Sequence, residues 1–146
     1  MKKIILFLII VSALFLASCT TANTTTGNTV ANEGFVKIPL ADISEEMQMY
    51  SYNVNGVDVN YFAVKGSDGE IRTAFDACDV CGGHKGYRQE GDQVVCNNCS
   101  NRFDIDDIGS KNAPGGCWPS YLGYEIDGDN VLISIKEISD GRYRFA

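Results

Sequence analysis

Four cysteines in two Cys-x2-Cys pairs constrain the fold of this chain more than any other feature of its sequence. The pairs are Cys78/Cys81 and Cys96/Cys99, with fourteen residues between them. Two residues between thiols allow one tight turn to direct both sulfurs at one point, and two such turns facing each other make a cage of four sulfurs. Four thiolates suit a zinc ion, a single iron ion or a [2Fe–2S] cluster. The spacing therefore predicts a metal or iron–sulfur site.

Disulfide chemistry is the competing interpretation of the same cysteines. Cysteines outside the cytoplasm often pair as disulfides. Of the six cysteines in the chain, five remain once Cys19 is assigned to a lipid anchor, and an odd number cannot pair fully within one chain. A redox-active Cys-x2-Cys pair needs a strand-to-helix context, and neither pair precedes a convincing helical pattern. We favour metal binding and keep disulfides and thiol–disulfide exchange as alternatives.

Other residues near the two pairs are candidates for the same site. Cys117, which follows two glycines, is either a buried small hydrophobic residue or a fifth thiol that can exchange as a ligand. His84, the one histidine, is either an additional ligand or a donor to a thiolate, although a solvated loop histidine is the simpler interpretation. We expect Tyr87, Phe103 and Trp118 to form the apolar cover of the site.

The sequence on either side of the cysteine region predicts a mainly β fold. Strand patterns cover residues 35–40, 48–53, 57–65, 70–75, 121–126 and 131–138. Asn55-Gly56 is a strong signal for a tight hairpin turn, and one helical turn at 43–46 and a last short strand at 142–145 are expected. No eleven-residue window has a convincing helical period. We predict an antiparallel β sandwich or barrel in which residues 77–120, poor in strand pattern, are organised by the cysteines.

The N-terminal segment has the pattern of an export signal. Two lysines precede an apolar run from Ile4 to Ala17 that one serine interrupts, and this run is shorter than the about 20 residues of a membrane span. Such a pattern is typical of a secretory signal peptide. Leu16-Ala17-Ser18-Cys19 resembles the lipobox of bacterial lipoproteins, in which the cysteine becomes the lipidated N-terminus. We therefore predict a signal peptide over 1–18 and anchoring through Cys19 on the extracytoplasmic face of the cell membrane.

Composition separates a tether from a folded part. Six of the fifteen residues from Thr20 to Gly34 are threonine and none is aromatic, so this stretch cannot bury enough apolar surface to offset its ordering entropy. We predict a lipidated disordered tether over 19–34 and a single domain over 35–146. Removing residues 1–18 leaves 10 basic and 19 acidic residues, a net charge of −9. This acidic balance argues against a nucleic-acid partner.

The cysteine region resembles the family of membrane iron–sulfur-containing, FtrD-like proteins. The resemblance is carried by residues 74–81, 86–87, 95–99, 103, 108–109 and 115–117. It extends over about residues 35–138 and implies a link to ferrous-iron uptake systems, with an iron or iron–sulfur cofactor and a membrane transport or redox protein as partner. Members of the family often have asparagine after the last of these cysteines, and Trp118 departs from that pattern.

The second cysteine pair is also similar to the second cluster-binding loop of Rieske proteins. In that loop Cys-x2-His is followed by glycine and then Phe-Asp, and here Cys96-Asn97-Asn98-Cys99 precedes Phe103-Asp104. The similarity implies a Rieske-like β domain that presents two rubredoxin-type Cys-x2-Cys knuckle loops. Cys99 stands where Rieske proteins have histidine, and thiolate ligands lower the potential of an iron–sulfur centre.

Three functional hypotheses follow from the sequence. The leading hypothesis is a lipid-anchored electron-transfer or metal-handling module, rather than an enzyme, that serves a membrane partner. The alternatives are a binding module with a structural four-cysteine zinc and a thiol–disulfide oxidoreductase. The signal has no twin arginine, so export of an unfolded chain favours a single ion captured outside, whereas the family resemblance favours an iron–sulfur cluster. With one histidine, the usual acid–base repertoire of an enzyme is thin.

Overall fold

The computed structural model describes residues 30–32, 34–80, 84–109 and 117–146. The strands, numbered along the chain, are β1 (Val30–Asn32), β2 (Phe35–Pro39), β3 (Gln48–Val54), β4 (Val57–Lys65), β5 (Ile71–Phe75), β6 (Tyr87–Glu90), β7 (Gln93–Cys96), β8 (Arg102–Asp104), β9 (Glu125–Asp127) and β10 (Asn130–Ser134). The helices are α1 (Ile135–Asp140) and the 3-10 helices Leu40–Asp42, Ile105–Asp107 and Gly141–Arg144.

These strands form three small sheets with the orders β1-β2-β10-β9, β3-β4-β5 and β6-β7-β8. Each neighbouring pair is antiparallel. The predicted mainly antiparallel β class is therefore confirmed. Within the described residues, no helix is both long and apolar enough to cross a bilayer.

The turn between β3 and β4 forms where the sequence predicted it. Asn55 has a φ of 50° and Gly56 a φ of 85°, and positive φ at both central residues is what the right-handed twist of a two-residue hairpin requires. The Gly56 N–H donates to Asn53 Oδ1 over 3.0 Å. The register of the two long strands β3 and β4 is thus fixed locally.

The second half of strand β4, from Tyr61 to Val64, is buried on both faces and lies between two apolar clusters. Because side chains alternate along a strand, Tyr61 and Ala63 enter one cluster while Phe62 and Val64 enter the other. The cluster that we call the first core lies between the first two sheets and consists of Val36, Ile38, Ile43, Tyr50, Val59, Tyr61, Ala63, Phe75, Leu122, Val131, Ile133 and Ile138. The second core is built of Phe62, Val64, Ala74, Tyr87, Val94, Cys96, Phe103, Ile105 and Ile108.

The largest wrong expectation concerns the middle of the chain. Residues 77–120, expected to lack strands, contain the sheet β6-β7-β8. These strands are only three or four residues long, and the polar side chains of Arg88, Gln89 and Glu90 hide the strand pattern of β6. Long-range packing of Tyr87, Val94 and Phe103 against β4 stabilises this sheet.

The C-terminal region is helical where strands were expected. Strand β10 ends at Ser134, and α1 and the 3-10 helix Gly141–Arg144 replace the expected strands over 135–138 and 142–145. Ile135 and Ile138 both pack in the first core, and their spacing of three places them on one helical face. The expected helical turn at 43–46 is displaced to the 3-10 helix Leu40–Asp42.

The N-terminal predictions fall mostly outside the described residues. The signal peptide, Cys19 and residues 20–29 lie there. Strand β1 lies within the segment predicted as a tether and pairs with β2, with Val30 opposite Lys37.

Candidate metal centre

The third sheet connects the chain segment that carries the first cysteine pair to the one that carries the second. Tyr87 at the start of β6 is paired with Cys96 at the end of β7, and the Asn97 N–H donates to the Gly86 carbonyl over 3.0 Å. We call residues 76–80 and 84–86 the first cysteine loop and residues 97–101 the second cysteine loop. The strand pairing places the end of the first loop beside the start of the second.

The second cysteine loop is a tight turn closed by its own backbone. The Ser100 N–H donates to the Cys96 carbonyl and the Cys96 N–H to the Asn101 carbonyl, both over 3.0 Å. Ser100 has a φ of 60°, a left-handed conformation that L-residues other than glycine adopt at a cost. Cys96 is buried in the second core, whereas Cys99 is exposed.

The first cysteine loop leaves β5 beside a segment that carries Cys117. The Phe75 N–H donates to the Ser120 carbonyl over 2.8 Å, and the Ser120 N–H donates to the Ala77 carbonyl over 3.0 Å. This short ladder places residues 117–120 next to residues 75–78. Cys78 and Cys117 are both half-buried and both pack against the second core. Cys81 lies outside the described residues.

Three aromatic side chains that the sequence analysis assigned to the site cover lie together. The ring centroids of Phe103 and Trp118 are 4.6 Å apart, and those of Tyr87 and Phe103 are 6.5 Å apart. The Tyr87 hydroxyl donates to the Cys117 carbonyl over 2.7 Å. The rings therefore form an apolar surface on the same cluster to which Cys78 and Cys96 belong.

A buried carboxylate, Asp76, ties the first loop to β6. Its Oδ1 accepts the Tyr87 N–H over 2.6 Å, and its Oδ2 lies 3.2 Å from His84 Nε2. Burial raises the pKa of Asp76, although the hydrogen bonds from Tyr87 and His84 oppose this rise. Gly86 has a φ of +73°, and a Cβ there would lie 2.6 Å from Asp76 Oδ2. Asp76 was missed in the sequence analysis, although it stands in the motif Phe75-Asp76-Ala77-Cys78.

His84 is an exposed loop residue, in line with the favoured interpretation of the sequence, but its side chain has two contacts. Its side chain is 31% exposed and contacts Asp76. Its ring centroid lies 4.7 Å from that of Phe145. The histidine is therefore held between a buried carboxylate and the C-terminus of the chain.

Asp79, which lies between the two cysteines of the first pair, is held by the C-terminus as well. Its Oδ1 accepts hydrogen bonds from the Arg144 Nε–H over 2.8 Å and from the Tyr143 hydroxyl over 2.9 Å. Partial burial raises the pKa of Asp79, but these hydrogen bonds prevail and hold it below its usual range. The carboxylate is therefore charged at neutral pH.

The described residues alone do not complete a metal site. Among them, no three His, Cys, Asp or Glu side chains form a group that could hold an ion, and Cys81 is not part of that set. The donor chemistry nevertheless fits iron, zinc or an iron–sulfur cluster, because thiolates are the soft ligands that these prefer. The structure brings Cys78, Cys96 and Cys117 to one apolar cluster and leaves Cys99 at the surface.

Fold and site together define a small antiparallel β protein in which Cys78, Cys96 and Cys117 pack in or against the second core, to which the sheet β6-β7-β8 contributes. The chain belongs to the FtrD-like family: the family described as membrane iron-sulfur containing protein FtrD-like matches residues 43–145. Membership gives it an iron–sulfur or iron-related function associated with a membrane.

Comparison with individual proteins adds little to the family assignment. No curated protein matches the chain. Among solved structures, the chain is similar to the quaternary ammonium Rieske monooxygenase CntA, crystallised in complex with an inhibitor, with a TM-score of 0.46 and 15% sequence identity. The match covers 72% of this chain but only 32% of that chain.

Proposed function

We propose that this protein is a lipid-anchored, extracytoplasmic iron–sulfur or iron protein that transfers electrons or handles metal for a membrane partner, such as an iron-uptake system. Cys78, Cys81, Cys96 and Cys99 hold the centre in this proposal, with Cys117 and His84 as possible further ligands. The observation that carries it is the packing of Cys78, Cys96 and Cys117 against one apolar cluster where the two cysteine loops meet.

The surrounding residues have defined tasks in this proposal. When bound, an iron–sulfur cluster or a single iron supplies a one-electron couple whose potential four thiolates lower. Tyr87, Phe103 and Trp118 exclude water from the inner side of the cysteine set, and the exposed Cys99 leaves the outer side open to a partner. An apolar inner wall raises the cost of a net charge change, so it helps to set the potential.

The anchor proposal rests on the motif Leu16-Ala17-Ser18-Cys19. Cleavage after residue 18 and lipidation of Cys19 would place the β domain on a tether at the membrane surface. A tethered domain samples a small volume near the bilayer, which raises its effective concentration at a membrane partner. Cys19→Ala abolishes lipid attachment on this reading, and intact-mass measurement of the membrane-extracted protein checks it. Wild-type protein without acyl mass on Cys19 contradicts the anchor.

The experiment for the metal centre is spectroscopy on anaerobically purified full-length protein. We expect a coloured protein with stoichiometric iron and reversible one-electron reduction in voltammetry. Cys78→Ser bleaches it, whereas Cys117→Ala shifts the potential without emptying the site. Colourless protein with one zinc and no voltammetric wave contradicts the proposal and leaves a structural zinc module. Turnover of a disulfide substrate by the metal-free protein supports the oxidoreductase instead.

A further inference from the structure

The last residues of the chain contact the first cysteine loop on both sides of Cys81. Asp79, two residues before Cys81, accepts hydrogen bonds from the side chains of Tyr143 and Arg144. His84, three residues after it, packs its ring on Phe145. We call residues 141–145 the C-terminal turn.

Arg144 is the residue on which these contacts centre. Its side chain is 14% exposed, and its guanidinium carbon lies 5.0 Å from the centroid of the Phe75 ring and 4.5 Å from that of Tyr143. The Nε–H is shared between Asp79 Oδ1 at 2.8 Å and Ser120 Oγ at 3.1 Å. A guanidinium that contacts two rings and two acceptors has little freedom left to lose, so its ion pair with Asp79, whose side chain is 48% exposed, forms at a smaller entropy cost than a pair between two mobile side chains.

The same residue joins three segments that meet at the proposed centre. Phe75 ends β5, Asp79 lies in the first cysteine loop, and Ser120 lies in the segment after Cys117. Gly141 makes the close approach of the turn possible, because a Cβ there would lie 2.3 Å from the Phe75 ring. The contact between the C-terminal turn and the first cysteine loop therefore depends on four separate positions of the chain: Phe75, Asp79, Ser120 and Gly141.

We propose that the C-terminal turn is a clamp that positions the first cysteine loop. Arg144 is the positioning residue, and Asp79 is the loop residue that it binds. This inference rests on the proposed metal centre. The clamp also places one positive charge against Asp79, the residue next to Cys78. Reduction adds negative charge to a centre, so this cation favours the reduced state, and the neighbouring Asp79 carboxylate disfavours it.

The test compares Arg144→Gln with Lys136→Gln in the full-length protein. Lys136 is a matched control because it also pairs with an aspartate, Asp140, but is 82% exposed on α1. We expect Arg144→Gln to release its bound metal to a chromogenic chelator about five-fold faster and to have a more negative reduction potential. Lys136→Gln releases metal at the wild-type rate.

Asp79→Asn separates charge from positioning. It loosens the loop as Arg144→Gln does, but it shifts the potential in the positive direction because an anion is removed. The double variant keeps the fast release while its potential returns toward wild type. A purely structural role for Arg144 would not shift the reduction potentials of Arg144→Gln and Asp79→Asn in opposite directions. If Arg144→Gln fails to fold, Arg144→Lys replaces it, with an intermediate release rate and a potential near wild type expected.

The outcomes distinguish the clamp from the proposed function. If Arg144→Gln releases its metal at the wild-type rate and has the wild-type reduction potential, the clamp is overturned, whatever the metal is. Colourless zinc protein that releases zinc faster in Arg144→Gln, but not in Lys136→Gln, overturns the electron-transfer function and retains the clamp.

Discussion

The two cysteine loops are held in place in different ways. The second loop is closed within six residues, by backbone hydrogen bonds that link Cys96 to Ser100 and Asn101. The first loop is held through its own side chains by residues outside it: Asp76 accepts the backbone N–H of Tyr87, and Asp79 is bound by the side chains of the distant C-terminal turn. A locally closed turn survives the loss of one distant contact, whereas a loop held by separate side chains depends on the whole fold. The first loop is therefore the one that substitutions and metal removal should disturb most.

Loss of a cysteine is expected to have the largest effect in both loops. Cys78→Ser and Cys96→Ser each lose most of the bound metal, because metal binding is coupled to folding. After metal removal, hydrogen exchange should rise further in residues 76–80 than in residues 97–101. Metal analysis and exchange mass spectrometry check this. Full metal content in either variant contradicts the four-cysteine site, and equal exchange in the two loops contradicts the comparison.

Gly86→Ala tests the anchor at Asp76. Gly91→Ala is the matched control, because Gly91 also has a positive φ but a Cβ there meets nothing within 4 Å. Both substitutions incur the left-handed penalty of about 1–2 kcal/mol, and Gly86→Ala alone displaces the Asp76 carboxylate. We expect Gly86→Ala to lower the free energy of unfolding by about 2 kcal/mol more than the control, measured by urea denaturation. Equal losses in the two variants would show that the Asp76 contact adds no stability.

The pH dependence of stability gives a second test of the anchor at Asp76. Burial raises the pKa of Asp76 in the folded protein, so the folded state binds its proton more tightly than the unfolded state does. The stability from this group is fully present below the ordinary carboxyl pKa and is lost as pH rises through the folded pKa. Asp76→Asn should remove this part of the slope, which is at most about 1.4 kcal/mol per pH unit. Thermal melts from acidic to neutral pH measure it, and an unchanged slope excludes Asp76 as its source.

Ser100→Gly is expected to have the smallest effect, and a favourable one. Glycine adopts the φ of 60° found at Ser100 without the steric cost that serine has, so stability should rise by about 0.5–1 kcal/mol. Ser51→Gly in the exposed part of β3 is the control and should lower stability, since glycine weakens a strand. A loss of stability in Ser100→Gly would show that its side chain is needed in the second loop.

Sequence reasoning was most successful where structure is determined locally. The Asn55-Gly56 turn and the long strands on either side of it were predicted, because backbone preference and alternation act over a few residues. Sheet β6-β7-β8 was missed, because its short strands are stabilised by packing of Val94 and Phe103 against a strand distant in sequence. The same limit applies to the site.

Two site residues show that limit most clearly. Asp76 has a partner eleven residues away and Asp79 has one sixty-five residues away. No periodic pattern connects such positions. The cysteine pairs were predicted from their spacing and chemical type, and the aromatic residues around them from chemical type alone. The structure places Tyr87, Phe103 and Trp118 together.

The burial of Tyr61, Phe62, Ala63 and Val64 in β4 has a consequence for how the protein unfolds. Tyr61 and Phe62 are adjacent in β4 but belong to different cores. Because both cores share this strand, disorder in one core also disrupts the other. Partial unfolding around the cysteines is thereby linked to unfolding of the whole domain, and the two cores melt in one transition. Disruption of the second core, in or against which Cys78, Cys96 and Cys117 pack, is therefore expected to expose the first core to proteases as well.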